Sequence, residues 1–237
     1  MDNLPLGLRT ALESGTCVLF VGAGIGVHLK DANGRNAPTA RDLAREIAAN
    51  FSIDPDTDVT DLSKIASYLE AIGQRKELDS FIHERLSNLS PDEAIQWLTT
   101  IRWRSIYTTN YDDSLLKAYT IAPNLHQEPI SISVSAEFVK CDPRFQVPIY
   151  FLHGTIFGAN RQILISKSDY TAFREKRRML FECLKQDFAT SPILYVGYSN
   201  QDPNWEIVLD ETMSEFGGRF KMNSYRIAPA LLQRWAR

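Results

Sequence analysis

A chain of 237 residues that is 44% hydrophobic and 11% aromatic can bury a full core, and it reads as one globular domain carrying an insertion. Its formal charge of -3 lacks the basic excess that phosphate backbones select for, so charge encodes no direct nucleic-acid role. The longest apolar run, Cys17 to Val21, is far short of the roughly 20 residues a bilayer span needs, and Met1 to Pro5 carries no signal pattern. The expectation is a cytoplasmic protein without membrane contact.

Leu4 to Ser14 predicts a short helix with Leu6, Leu8 and Leu12 on its apolar side, closed by Gly15. Thr16 to Val21 follows as an almost wholly apolar strand, the pattern of a strand covered on both faces. Gly22-Ala23-Gly24-Ile25-Gly26 leaves that strand directly. Such a turn lets a backbone approach a pyrophosphate and meet it with amides, although G-x-G-x-G is also a plain tight strand exit. His28 reads as a surface histidine, and Lys30 to Pro38 as a polar flap.

From Thr39 to Thr100 the period changes from strand to helix, which predicts an insertion of about four helices between the first two strands. Thr39 and Asp61 are cap residues before Leu43-Ile47-Ala48 and before Leu62-Ile65-Ala66-Leu69-Ile72. Leu78, Phe81, Ile82 and Leu86 mark a third helix, and Ser90-Pro91-Asp92-Glu93 reads as a capping box for a fourth. Arg75, Lys76, Glu77, Glu84 and Arg85 are expected on solvated faces.

Ile106-Tyr107-Thr108 is a strand that runs into the polar turn Thr109-Asn110-Tyr111-Asp112-Asp113 and then a helix from Ser114. Strand, polar turn and helix in that order put the polar groups at the carboxyl edge of a parallel sheet, where open α/β folds bind ligands. Pro129 to Ser133 and Val147 to Leu152 are further strands, with a brief helical turn at Ser135 and His153-Gly154-Thr155 at the end of the second. Leu164-Ile165-Ser166 is expected as one more short strand, followed by one long helix from Ser168 or Asp169 through Leu184. The basic run Arg174 to Arg178 reads as that helix's solvated face. Pro192 to Val196 is a buried strand leading into Gly197-Tyr198-Ser199, then a helix from Asn204 to Glu215, a last strand at Tyr225 to Ala228, and an apolar end at 231–237 that suits a piece of a longer protein. Cys17, Cys141 and Cys183 form no C-x-x-C pair; Cys17, in an apolar strand, and Cys183, in a helical pattern, read as buried free thiols.

Thr108-Thr109-Asn110-Tyr111-Asp112 resembles the signature of the SIR2 (sirtuin-like) superfamily, and in this form it is more similar to prokaryotic SIR2-like NAD hydrolases of antiviral defence than to protein deacetylases. Phe20 to Gly26, Leu152-His153-Gly154 and Gly197-Tyr198-Ser199 occur in the family's order. The resemblance implies a Rossmann-like parallel sheet with helices on both faces, spanning 1–237, with the helical segment at about 39–100 replacing the zinc-bound lobe of deacetylases. It implies NAD as substrate and no metal. Asn110 is expected to orient water and ribose hydroxyls, His153 to act as general base, and Asp112 to hold a ribose hydroxyl or Asn110 itself. Gly22, Ala23, Gly24 and Ser199 are expected to cradle the diphosphate, with Gly26, Thr109 and Gly197 completing the nucleotide contacts. The implied activity is hydrolysis of NAD to nicotinamide and ADP-ribose, as an NAD-depleting effector of antiphage defence. The same resemblance implies a homo-oligomer and a phage-derived trigger or a sensing domain or subunit. Two other readings stay open at this point: an NAD-dependent protein deacylase, and a non-catalytic module sensing NAD or ADP-ribose.

Overall fold

The structure is a computed structural model that describes residues 4–54, 59–123, 125–158, 161–198 and 223–227 with positions 210, 213 and 214, the side chains of 172–176 excepted. Its centre is β1 (Val18–Val21), in which every residue is buried. Parallel partners flank it on both edges: β2 (Ser105–Thr108) on one side and β5 (Ile193–Val196) on the other. With β3 (Glu128–Ile132), β4 (Gln146–Phe151) and β6 (Ser224–Ile227) the sheet has six parallel strands in the order β3-β4-β2-β1-β5-β6.

Alternation along each strand sends side chains to two cores. Leu19, Val21, Ile106, Ile149, Phe151 and Leu194 face a layer that contains the buried side of α1 (Leu6–Glu13) and of the inserted helices. Val18, Phe20, Tyr107, Tyr150 and Tyr195 face the other way, onto Leu180, Leu184 and Phe188 of α8 (Arg178–Thr190). The chain is therefore an α/β fold of Rossmann type, a parallel sheet with helices on both faces.

The insertion lies between β1 and β2. Thr39 closes a capping box with Asp42 at the start of α2 (Ala40–Asn50), and Asp61 caps α3 (Leu62–Ala71), as their side-chain types predict. Next come α4 (Arg75–Leu86) and α5 (Glu93–Leu98). The cap of α5 is Asp92, which accepts from Ile95 N at 3.0 Å; Ser90 is instead held through its own amide by Lys30 O at 3.0 Å. That contact also corrects the expected flap. Residues 30–38 turn back on themselves through a Lys30–Asn36 bridge, and Arg85 donates to Asn36 O at 2.8 Å, so the segment is anchored to the insertion.

Other expectations fail for local reasons. Leu6 and Ile72 are exposed rather than packed. Arg75 donates to Asp79, Asp169 and the Ile163 carbonyl, and Arg85 is buried against Glu46, so neither lies on a solvated face; Lys76, Glu77 and Glu84 do. Leu164 to Ser166 is no strand. One bridge, Gly154 with Ile163, is all that forms, because the amides of Ile165 and Ser166 turn to Asp169 Oδ2 at 3.0 and 2.9 Å. The long helix predicted after it is two, α7 (Lys167–Lys176) and α8, parted at Arg177. Arg177 is 2% exposed, so the basic run is not a solvated face throughout. The predicted Asn204 to Glu215 helix falls almost wholly outside the described residues, as does the 231–237 end. Among the described residues, no helix is long and apolar enough to cross a membrane.

Candidate functional site

In-register pairing lines up the strand ends. Val21 of β1 pairs with Thr108 of β2 and Val196 of β5, and Thr108 pairs with Phe151 of β4. The residues that leave this row, Gly22, Thr109, Leu152 and Gly197, begin the four segments singled out in the sequence. Parallel pairing thus gathers motifs that are up to 175 positions apart at one edge.

Beyond β2 the turn is built by its own side chains. Asn110 N donates to Thr108 Oγ1 at 3.1 Å and Thr109 N to Val21 O at 3.3 Å, which fixes the exit of the strand. Asp112 Oδ1 then accepts from Ser114 N at 2.9 Å, where α6 (Ser114–Ile121) begins. Burial, the largest influence on it, raises the Asp112 carboxyl above the ordinary carboxylate range, against the lowering effect of its hydrogen bonds to Ser114. The carboxamide oxygen of Asn110 is buried and has no hydrogen-bond partner among the described residues. A buried acceptor calls for a hydrogen-bond donor, from the protein, a water or a ligand.

That oxygen's side chain helps line a small cavity whose polar wall is Thr108, Asn110, Asp112 and Ser114, with Ile95 of α5 contributing from the insertion. Its free volume of about 10 Å³ admits one water. His153 is not part of this wall. It leaves β4 beside the site, 8% exposed, with the Tyr170 ring edge-on at 5.5 Å and the Tyr111 ring at 6.4 Å. Tyr111 is itself tied down, its hydroxyl donating to Leu164 O at 2.7 Å. Gly154, at φ +82°, has to be glycine: a Cβ there would lie 1.7 Å from Gln162 O.

The glycine side is arranged differently. Gly22 N donates to Val196 O at 3.0 Å and Gly24 N to Gly197 O at 2.8 Å. A Cβ on Gly22 or Gly24 would stand 2.7 Å from Gly197 O, and one on Gly197, at φ +65°, 2.2 Å from Ile25 N. Two of the amides expected to meet a diphosphate are therefore spent on the protein, and these three glycines are required by the close approach of β1's exit to β5's. Ala23 opens a 3-10 turn, Ala23–His28, which ends on an exposed His28; Gly26 within it meets nothing closer than 3.7 Å, so sterics do not demand glycine there. Ser199 lies outside the described residues.

Three residues near the site were not expected there. Ser114 was read only as a helix start, yet it shares the cavity wall with Asp112. Tyr170 carries no sequence signal that points to His153. Arg177 carries no sequence signal either, because the helix break at which it lies is set by carbonyls distant in the chain.

A six-stranded parallel sheet with its polar motifs gathered on one strand-end row defines a Rossmann-like α/β domain with a carboxyl-edge site. The SIR2-like domain family profile matches residues 104–233, more than half of the chain, and the chain belongs to that family. It is 26% identical over 200 residues to a protein named NAD(+) hydrolase ThsA from Cytobacillus dafuensis, covering 84% of this chain and 38% of that one. A protein of the same name from Enterococcus faecium is 26% identical over 205 residues, covering 85% of this chain and 41% of that one. The chain spans about two fifths of the length of the curated relatives it matches. Among solved structures, a SIR2 homologue complexed with NAD is 13% identical with a TM-score of 0.41, covering 93% of this chain and 81% of that one.

Proposed function

We propose that this chain is the catalytic SIR2-like domain of an NAD hydrolase that releases nicotinamide and ADP-ribose. The observation that carries the reading is the unpartnered, buried Asn110 oxygen on a water-sized polar cavity at the carboxyl end of β2. Hydrolysis needs one water held and aimed while the nicotinamide-ribose bond breaks, and a buried acceptor fixed beside a water-sized cavity is suited to that task. Asn110 then orients the water and the ribose hydroxyls. Asp112, whose Oδ1 accepts from Ser114 N, holds a ribose hydroxyl. His153, from the next strand, takes the proton as the water oxygen bonds to the anomeric carbon and nicotinamide leaves. Thr109, Ala23, Gly26, Gly197 and Ser199 remain the proposed nucleotide contacts. Support also comes from the relatives, which are named NAD(+) hydrolases.

An NAD-depleting role in antiphage defence, a cytoplasmic setting, a homo-oligomer, and control by a phage-derived trigger or a sensing domain follow from the family resemblance as parts of the same proposal. The test is chromatography of NAD incubated with the protein at several protein concentrations, with calorimetry as the binding control. Equal amounts of nicotinamide and ADP-ribose are expected. Binding without turnover at every concentration, with and without an acylated peptide, would favour a sensing module; turnover that needs the peptide would favour a deacylase.

A further inference from the structure

Arg177, where α7 gives way to α8, is among the largest fully buried side chains, 2% exposed. Its guanidinium spreads over three backbone carbonyls that belong to three different segments: Nε donates to Ser133 O at 2.8 Å, Nη1 to Leu152 O at 3.2 Å and Nη2 to Gln162 O at 3.1 Å. Ser133 follows β3, Leu152 immediately precedes His153, and Gln162 precedes Ile163, which bridges Gly154. A Cβ on Gly154 would also approach Nη2 to 2.7 Å, so the glycine makes room for the guanidinium as well as for the Gln162 carbonyl.

Holding a cation in this place is costly. Burial pulls the Arg177 guanidinium down to about 10, still protonated at neutral pH, and no ion pair to it is formed among the described residues. Stapling loops could be done more cheaply by a neutral amide. What a guanidinium adds is a rigid planar fork of five donors, able to fix several diverging acceptors at once, which neither lysine nor an amide reproduces. The acceptors it fixes enclose the His153-Gly154 turn. The helix it terminates, α7, carries Tyr170, whose ring stands edge-on to His153 at 5.5 Å. One side chain therefore sets both the main chain of His153 and one wall of its imidazole.

We propose that Arg177 is a positioning residue that holds His153 in its working orientation, a role whose kinetic consequence rests on the hydrolase reading above. Arg177 touches no reacting atom and acts through the histidine. Arg177→Lys keeps the charge and loses the fork; Arg177→Met loses both. Each is measured for folding by circular dichroism, for kcat and KM of nicotinamide release, and by NMR of the four histidine imidazoles, with His153 assigned from the resonance missing in His153→Gln. Arg177→Lys is expected to fold, to lose about 10- to 100-fold in kcat with KM within about twofold, and to shift the His153 resonance alone. Unchanged kcat together with an unmoved His153 resonance would overturn the proposal, as would failure of both variants to fold, which would assign Arg177 to the fold alone. If the wild type releases no nicotinamide, the hydrolase reading fails by itself. The His153 resonance then decides: a shift confined to it upholds the positioning role, and constancy overturns it.

Discussion

The two halves of the strand-end row use their hydrogen-bonding capacity in opposite ways. Where β1 and β5 end, glycine amides and carbonyls are bonded to one another across the gap, and no room is left for a Cβ. Where β2 ends, the Asn110 oxygen has no partner among the described residues and lies beside a water-sized cavity and a buried Asp112 carboxyl. One half spends these backbone groups on the fold; the other leaves the Asn110 oxygen facing a cavity. The difference separates residues needed to build the edge from those proposed for chemistry, although both kinds belong to motifs of one family.

Breaking the first half should have the largest effect. Gly197→Ala places a Cβ at a positive φ and against the backbone of Ile25, so a loss of about 3 kcal/mol or more is expected in urea denaturation, with activity falling because the protein unfolds. Asn110→Ala should do the reverse: a loss of turnover of about 10²–10³-fold, of the order seen when one preorganised polar group is removed, with unfolding free energy within about 1 kcal/mol of wild type.

Asp112 sharpens the contrast through pH. Because burial raises its carboxyl, the folded state binds that proton more tightly than the unfolded chain. This contribution favours folding below the unfolded carboxylate value and is lost as pH rises through the folded one, so at neutral pH the ionised group is a cost. Asp112→Asn is expected to raise the denaturation midpoint at neutral pH and to flatten its dependence between acid and neutral pH, while weakening turnover. A lower midpoint at neutral pH would show that the carboxylate stabilises the site. The smallest effect concerns Cys17, buried in the first core layer with its thiol pushed up to about 12. At about pH 8 it should resist alkylation in the native protein while the partly exposed Cys141 reacts, as peptide mass mapping would report.

Much of this layout was legible from local signals. Buried strands, the Thr39 and Asp61 caps, and the strand-turn-helix at Asn110 all follow from neighbours in the chain, and local patterns are what a sequence displays. The segments that misled were settled by partners far away in sequence. Leu164 to Ser166 has strand-forming side chains, but Asp169 takes its amides and Arg75, 94 positions from that aspartate, holds it there. Arg177 looked like one charge in a surface run and is a buried fork, because carbonyls 15 to 44 residues away converge on it. The glycine loop reads from sequence either as a turn that approaches a pyrophosphate or as a tight strand exit. Its observed partner is the exit of β5, and no pattern within Gly22 to Gly26 distinguishes that from an anion.

In the proposed reaction the Asn110 oxygen, buried beside a water-sized cavity, serves hydrolysis. The most direct test is nicotinamide release by wild type and Asn110→Ala at equal NAD occupancy, fixed by calorimetry on the same samples. Release by the wild type with a loss of at least about 100-fold in the variant is the predicted result. Equal release by both would contradict the account, since the chemistry would then proceed without the residue around which the site is built.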